Sequence, residues 1–165
     1  MATLISEDRE VESSLVIVPG PIVDPGEIMK DQSWQQVGLI LASGPFRVEL
    51  GHMPDGTTKG PTTSDVVDEE CLLCRKPKDE VRELIAMVDE LIAGEREMVL
   101  FEPAEPFFEL RISRGSVFGF RVEAWLDSGN AVTGVYRWDG VGIRMHTTRE
   151  YLGSFTKQLK EEFGC

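Results

Sequence analysis

The sequence predicts an α+β fold: an antiparallel sheet, built from a hairpin and a C-terminal meander, packed with two amphipathic helices. Three observations predict it. Val37–Leu41 and Phe46–Leu50 flank Ala42-Ser43-Gly44-Pro45, two strand-forming runs around a Gly-Pro turn. Between Pro77 and Ala93, Val81, Leu84, Ile85, Val88, Leu91 and Ile92 fall on one stripe at helical spacing. From Phe107 onward apolar and charged residues alternate with the period of a strand, and the chain closes on a second helical pattern.

In chain order, residues 1–13 are polar and acidic and are expected to fray until a strand begins. Ser14–Val18 is β-branched and apolar, and Pro19-Gly20-Pro21 closes it as a turn. Residues 19–33, with three prolines and two glycines, read as a loop. In the hairpin that follows, Phe46, Val48 and Leu50 alternate with Arg47 and Glu49. Residues 51–64 consist almost wholly of loop formers, a long connection that compact domains seldom keep without a use. Pro77 suits a first helical turn, Asp79 and Glu80 sit where the helix dipole favours acid, and Gly94 suits the end.

Met98–Phe101, Phe107–Ile112, Val117–Ala124 and Ala131–Trp138 then read as strands, and Asp139-Gly140 can turn the last of them back into Val141–Met145. Phe108, Leu110 and Ile112, like Phe118, Phe120 and Val122, are placed inward. Glu109, Arg111, Arg121 and Glu123 face out with mixed sign, which describes a solvated sheet face rather than a nucleic-acid groove. Thr147-Thr148-Arg149-Glu150 reads as a capping box with Glu150 at N3, opening a helix over 148–163 that presents Tyr151, Leu152, Phe155, Leu159 and Phe163. The whole, 1–165, is read as one domain.

Of the 165 residues, 29 are acidic and 17 basic, a net charge of −12. That balance speaks against binding a phosphate backbone or an anionic membrane surface, both of which require a basic footprint. No apolar run approaches the ~18 residues of a spanning helix, and Met1–Glu12 lacks the features of a signal peptide, so a cytoplasmic location is expected. The acid is unevenly distributed. Residues 1–74 hold 13 acids and 4 bases, a net of −9, and residues 75–165 hold 16 acids and 13 bases, a net of −3. Two clusters dominate: Glu7, Asp8, Glu10 and Glu12, and Asp65, Asp68, Glu69 and Glu70. Clusters of one sign speed encounter with an oppositely charged partner and set its orientation.

Motifs that carry chemistry are sparse. Cys71-Leu-Leu-Cys74 has a spacing that can place two thiolates on one metal, but a closed zinc site takes four ligands, and the other candidates are His52, His146 and Cys165. Cys71, Cys74 and His52 are the weak metal candidates, and no cofactor is expected. There is no Gly-x-Ser-x-Gly elbow to pair with either histidine and no glycine-rich phosphate loop ahead of a helix. The sequence therefore points away from an enzyme.

The second half has a familiar order. A helix ending in Ile-Ala-Gly (92–94) leads to Val-Leu-Phe-Glu-Pro (99–103) and Phe-Phe-Glu-Leu (107–110), and after the meander Met145 to Leu159 closes the chain. This arrangement resembles the WapI immunity family of bacterial contact-dependent toxin systems, over residues 77–163 with a weaker echo at 37–50. The resemblance lies in element order and apolar pattern, and it implies an α+β fold and a stoichiometric inhibitor of a toxin domain, often a nuclease. The leading expectation is a non-catalytic binding protein that meets a basic toxin surface through Asp65, Asp68, Glu69 and Glu70, with Glu7, Asp8 and Glu10 second. Two alternatives stand beside it. One is a small metal-binding enzyme or sensor using Cys71, Cys74 and His52; the other is a structural or oligomer-forming module that pairs through a sheet edge.

Overall fold

A computed structural model describes residues 1–8, 10–23, 34–59, 72–74, 77–103, 108–115, 119–127 and 140–165. Among the described residues, ten strands and two helices run in the order β1 (Ala2–Ile5), β2 (Ser13–Val23), β3 (Trp34–Ser43), β4 (Phe46–His52), β5 (Thr58–Lys59), β6 (Leu72–Cys74), α1 (Pro77–Ala93), β7 (Met98–Phe101), β8 (Phe108–Arg114), β9 (Phe120–Asp127), β10 (Gly140–Thr147) and α2 (Arg149–Phe163). The α+β class and both helices are as the sequence predicts. The strands divide between two antiparallel sheets, with the hairpin in the first and the meander in the second.

The first sheet has the order β1-β2-β3-β4-β5. β2 pairs with β3 along its length, while the opposite edge of β3 is shared: Leu39–Ser43 pair with β4 and Gln35–Val37 with β6. β6 has no counterpart among the predicted strands; at three residues it is too short to show a period. The inner face of the first sheet buries Ala2, Leu4, Leu15, Ile17, Val37, Leu39, Leu41 and Leu50. The second sheet runs β10-β9-β8-β7 in unbroken register and buries Val99, Phe101, Phe108, Leu110, Ile112, Phe120, Val122, Ala124, Leu126, Ile143 and Met145. The apolar stripes of α1 (Val81, Leu84, Ile85, Val88, Leu91) and α2 (Leu152, Phe155, Leu159, Phe163) join these two faces in one contiguous core. Burying such side chains is the main favourable term in folding, at about 1.5–3 kcal/mol each.

Four expectations need correction. The segment expected to fray, 1–13, opens with an ordered strand: Ala2 and Leu4 are fully buried, and β1 pairs with Ser14–Ile17. Nor does Pro19-Gly20-Pro21 end its strand. β2 continues to Val23 across a register shift between Pro19 and Ile22, and Gln35 Nε2 donates to the Gly20 carbonyl at 2.9 Å. Beyond Ile17 this strand has lost β1 as a neighbour, so a proline there interrupts no ladder on that side. Residues 24–33 lie outside the described residues.

The third correction concerns the loop expected at 51–64. Its first part is a hairpin, β4 to β5, tied by Met53 N donating to Thr57 O at 2.7 Å and Gly56 N to Met53 O at 2.9 Å. Gly51 has φ of 81°, a left-handed conformation that glycine adopts without strain. There the chain leaves β3 and swings over the outer face of the sheet, where Met53 covers Val18 and Ile40. The crossing is so close that a Cβ on Gly38 would stand 1.7 Å from the His52 carbonyl oxygen. Fourth, the cap of α2 sits one residue later than the capping box implies. Thr148 is the N-cap, its Oγ1 accepting from Tyr151 N at 3.2 Å, and Glu150 is therefore at N2. Thr147 is fully buried and used elsewhere: its hydroxyl donates to the Ile5 carbonyl at 2.8 Å.

The strand expected from Val117 begins at Phe120; Val117 and Phe118 lie outside the described residues, as does the run 131–138. β10 pairs with β9 through eight consecutive positions. On the outer face of this sheet Glu109 bridges Arg111 at 3.1 Å, Arg121 bridges Glu123, and Arg144 reaches Glu123 across the strands at 3.5 Å while lying 5.7 Å from the Trp125 ring centre. The mixed charges of this face thus pair with one another.

Candidate functional site: the acidic β1–β2 turn

The turn from Ser6 to Glu12 is built on a short hydrogen-bonded frame. Ser6 N donates to Ser13 O at 2.8 Å, and Ser13 N returns a bond to Ser6 Oγ at 3.0 Å. Inside it, the Asp8 carboxylate accepts from Glu10 N at 2.8 Å and Val11 N at 3.4 Å, an Asx-type closure. The frame is anchored at three points. Glu7 N donates to the His146 carbonyl at 2.9 Å, Gly44 N donates to the Glu12 carbonyl at 3.2 Å, and the Ser13 and Ser43 hydroxyls share a 2.8 Å bond. The first of these extends β1 along the end of β10 and, with the Thr147–Ile5 bond, joins the edges of the two sheets.

Glu7, Asp8, Glu10 and Glu12 are all exposed on this turn. Four carboxylates therefore stand together on a backbone pinned at Ser6, Glu7, Glu10, Val11 and Glu12 by hydrogen bonds. Such a surface can dock a cation-rich partner without the entropy loss of ordering a free chain end. Asp8 is the exception among the four, since its carboxylate also closes the turn.

Glu7 stands at the rim of a cleft of about 490 Å³ that Arg114, Phe120, Thr148 and Arg149 also line. The cleft lies where the start of α2 meets the β8–β9 connection. Arg114 has another task there. α1 has no basic residue in its last turn, and the Arg114 guanidinium donates to the Leu91 carbonyl at 3.3 Å, supplying the cation that the C-terminal end of the helix dipole favours.

The remaining sequence candidates are scattered. Asp65, Asp68, Glu69, Glu70 and Cys71 lie outside the described residues. Cys74 ends β6, its backbone opposite Gln35. His52 ends β4, half-buried, with its Cβ packed close over Gly20. Among the described residues no group of three His, Cys, Asp or Glu side chains is placed to hold a metal ion. His146 is exposed on β10 and enters the site through its carbonyl. Sequence reasoning found the acids of the turn but missed its anchors at His146, Ser43 and Gly44. The distance along the chain hides the first of these, and serines carry no pattern that would reveal the others.

At the tip of the β4–β5 hairpin, the Asp55 carboxyl is held below its ordinary pKa. The Thr57 hydroxyl, at 2.6 Å, is the main cause and the Thr57 backbone N–H, at 2.9 Å, the next. Among the described residues no helix is long and apolar enough to cross a membrane. Comparison with family models, curated proteins and solved structures finds no match for this chain.

Proposed function

We propose that this protein is a non-catalytic, cytoplasmic binding protein of the immunity type, which neutralises a cognate toxin domain by covering its basic surface. One observation carries the reading: Glu7, Asp8, Glu10 and Glu12 are exposed together on a turn held by hydrogen bonds to both sheets. The net charge of −12, concentrated in residues 1–74, and the resemblance of residues 77–163 to WapI-type immunity proteins support it. The contact surface comprises this turn together with Asp65, Asp68, Glu69 and Glu70. A nuclease toxin has a basic groove for its substrate, and an acidic protein that occupies the groove excludes the nucleic acid.

The test begins with affinity capture from the native host at low salt, followed by measurement of the affinity of the purified pair. Reversing Asp65, Asp68, Glu69 and Glu70 to Lys, with Glu7→Lys and Glu10→Lys as a second set, is expected to weaken binding by about tenfold or more. The loss should fall mainly on the association rate and shrink as salt is raised. Affinity that is the same for both sets and for the unaltered protein at low salt would overturn the acidic-face reading. Circular dichroism of each variant separates loss of binding from loss of fold.

A further inference from the structure

We draw no further inference here: the strongest candidate, the cleft between the start of α2 and the β8–β9 connection, rests on a helix N-terminus with no second observation that points to a ligand, its Arg114 being engaged with the α1 carbonyl of Leu91.

Discussion

The two sheets of this protein reach a shared core by different means. In the second sheet each strand pairs with its neighbour in chain order, the register is continuous, and buried and more exposed positions alternate between faces, although Met98, Leu100 and Trp125 lie on the outer one. In the first, β2 changes register at its prolines, β3 divides one edge between β4 and β6, and the β4–β5 hairpin folds back to cover part of the outer face. The difference teaches where side-chain periodicity rules and where it does not. Strand alternation determines a sheet whose one face is core and whose other face is water. Where backbone crosses backbone, as at Gly38 under His52, the absence of a side chain decides the geometry.

The strongest way to break this comparison is to ask whether the sheets are energetically separate. Leu39 and Leu110 are each fully buried, one in each sheet, within the same core cluster. Leu39→Ala and Leu110→Ala are each expected to destabilise the protein by about 2–5 kcal/mol. Because the core is contiguous, both should lower the midpoint of one cooperative transition, read by urea unfolding with fluorescence and circular dichroism as probes. Two resolved transitions, with each variant shifting only one, would show that the sheets unfold independently.

A smaller effect should separate the sheets by mechanism. Gly38→Ala forces a Cβ against the His52 carbonyl and should cost about 1–3 kcal/mol, in line with overpacking elsewhere. Arg144→Ala, on the outer face of the second sheet, removes an exposed ion pair and a cation–π contact and should cost no more than about 1 kcal/mol. If denaturant midpoints rank the two in the opposite order, backbone crossing is not what holds the first sheet.

Thr148→Ala tests the junction between the second sheet and α2. Loss of the N-cap bond to Tyr151 should cost about 1 kcal/mol. A larger loss would mean that Thr148 also supports the neighbouring link from Thr147 to Ile5, which a measured stability for Thr147→Val would reveal.

The smallest effect concerns the tip of the first sheet's hairpin. The folded-state pKa of Asp55 is depressed, so its contribution is present above the unfolded value and is lost as pH falls through the folded one. The window therefore lies below about pH 4. An NMR titration of the carboxyl should show a midpoint below that of a free aspartate, and Thr57→Val should move it back upward. A midpoint unmoved by Thr57→Val would remove the hydroxyl as the cause.

β7, β8, β9, α1 and α2 were legible because their signals are local and periodic, whereas the sequence paired Val141–Met145 with 131–138, outside the described residues, and β10 lies beside β9. α1 occupies Pro77–Ala93 as its stripe predicts, and Phe108, Leu110, Ile112, Phe120 and Val122 are buried as their alternation predicts. The first sheet was legible only in part. Ser14–Val18 and the hairpin around Gly44-Pro45 could be read, but Pro19 and Pro21 suggested an end where the strand continues. Proline signals a break only if its missing N–H would have had a partner, and which edge of β2 lacks a neighbour is not a local property. The same reasoning applies to residues 1–13. Their polarity suggested fraying, yet Ala2 and Leu4 enter the core, and Thr3 N donates to Gln158 Oε1 of α2 at 2.8 Å, closing the outer edge of β1.

By itself, the sequence determined the class, the two helices, the inner faces of the meander and the concentration of acid in the first 74 residues, because each depends on composition or on neighbours a few positions apart. Only the tertiary structure decided that Glu7, Asp8, Glu10 and Glu12 stand on an anchored turn rather than a loose end. Its anchors, at Ser43, Gly44 and His146, come from elements far along the chain, and hydrogen bonds between such distant backbones leave no period in the sequence to read.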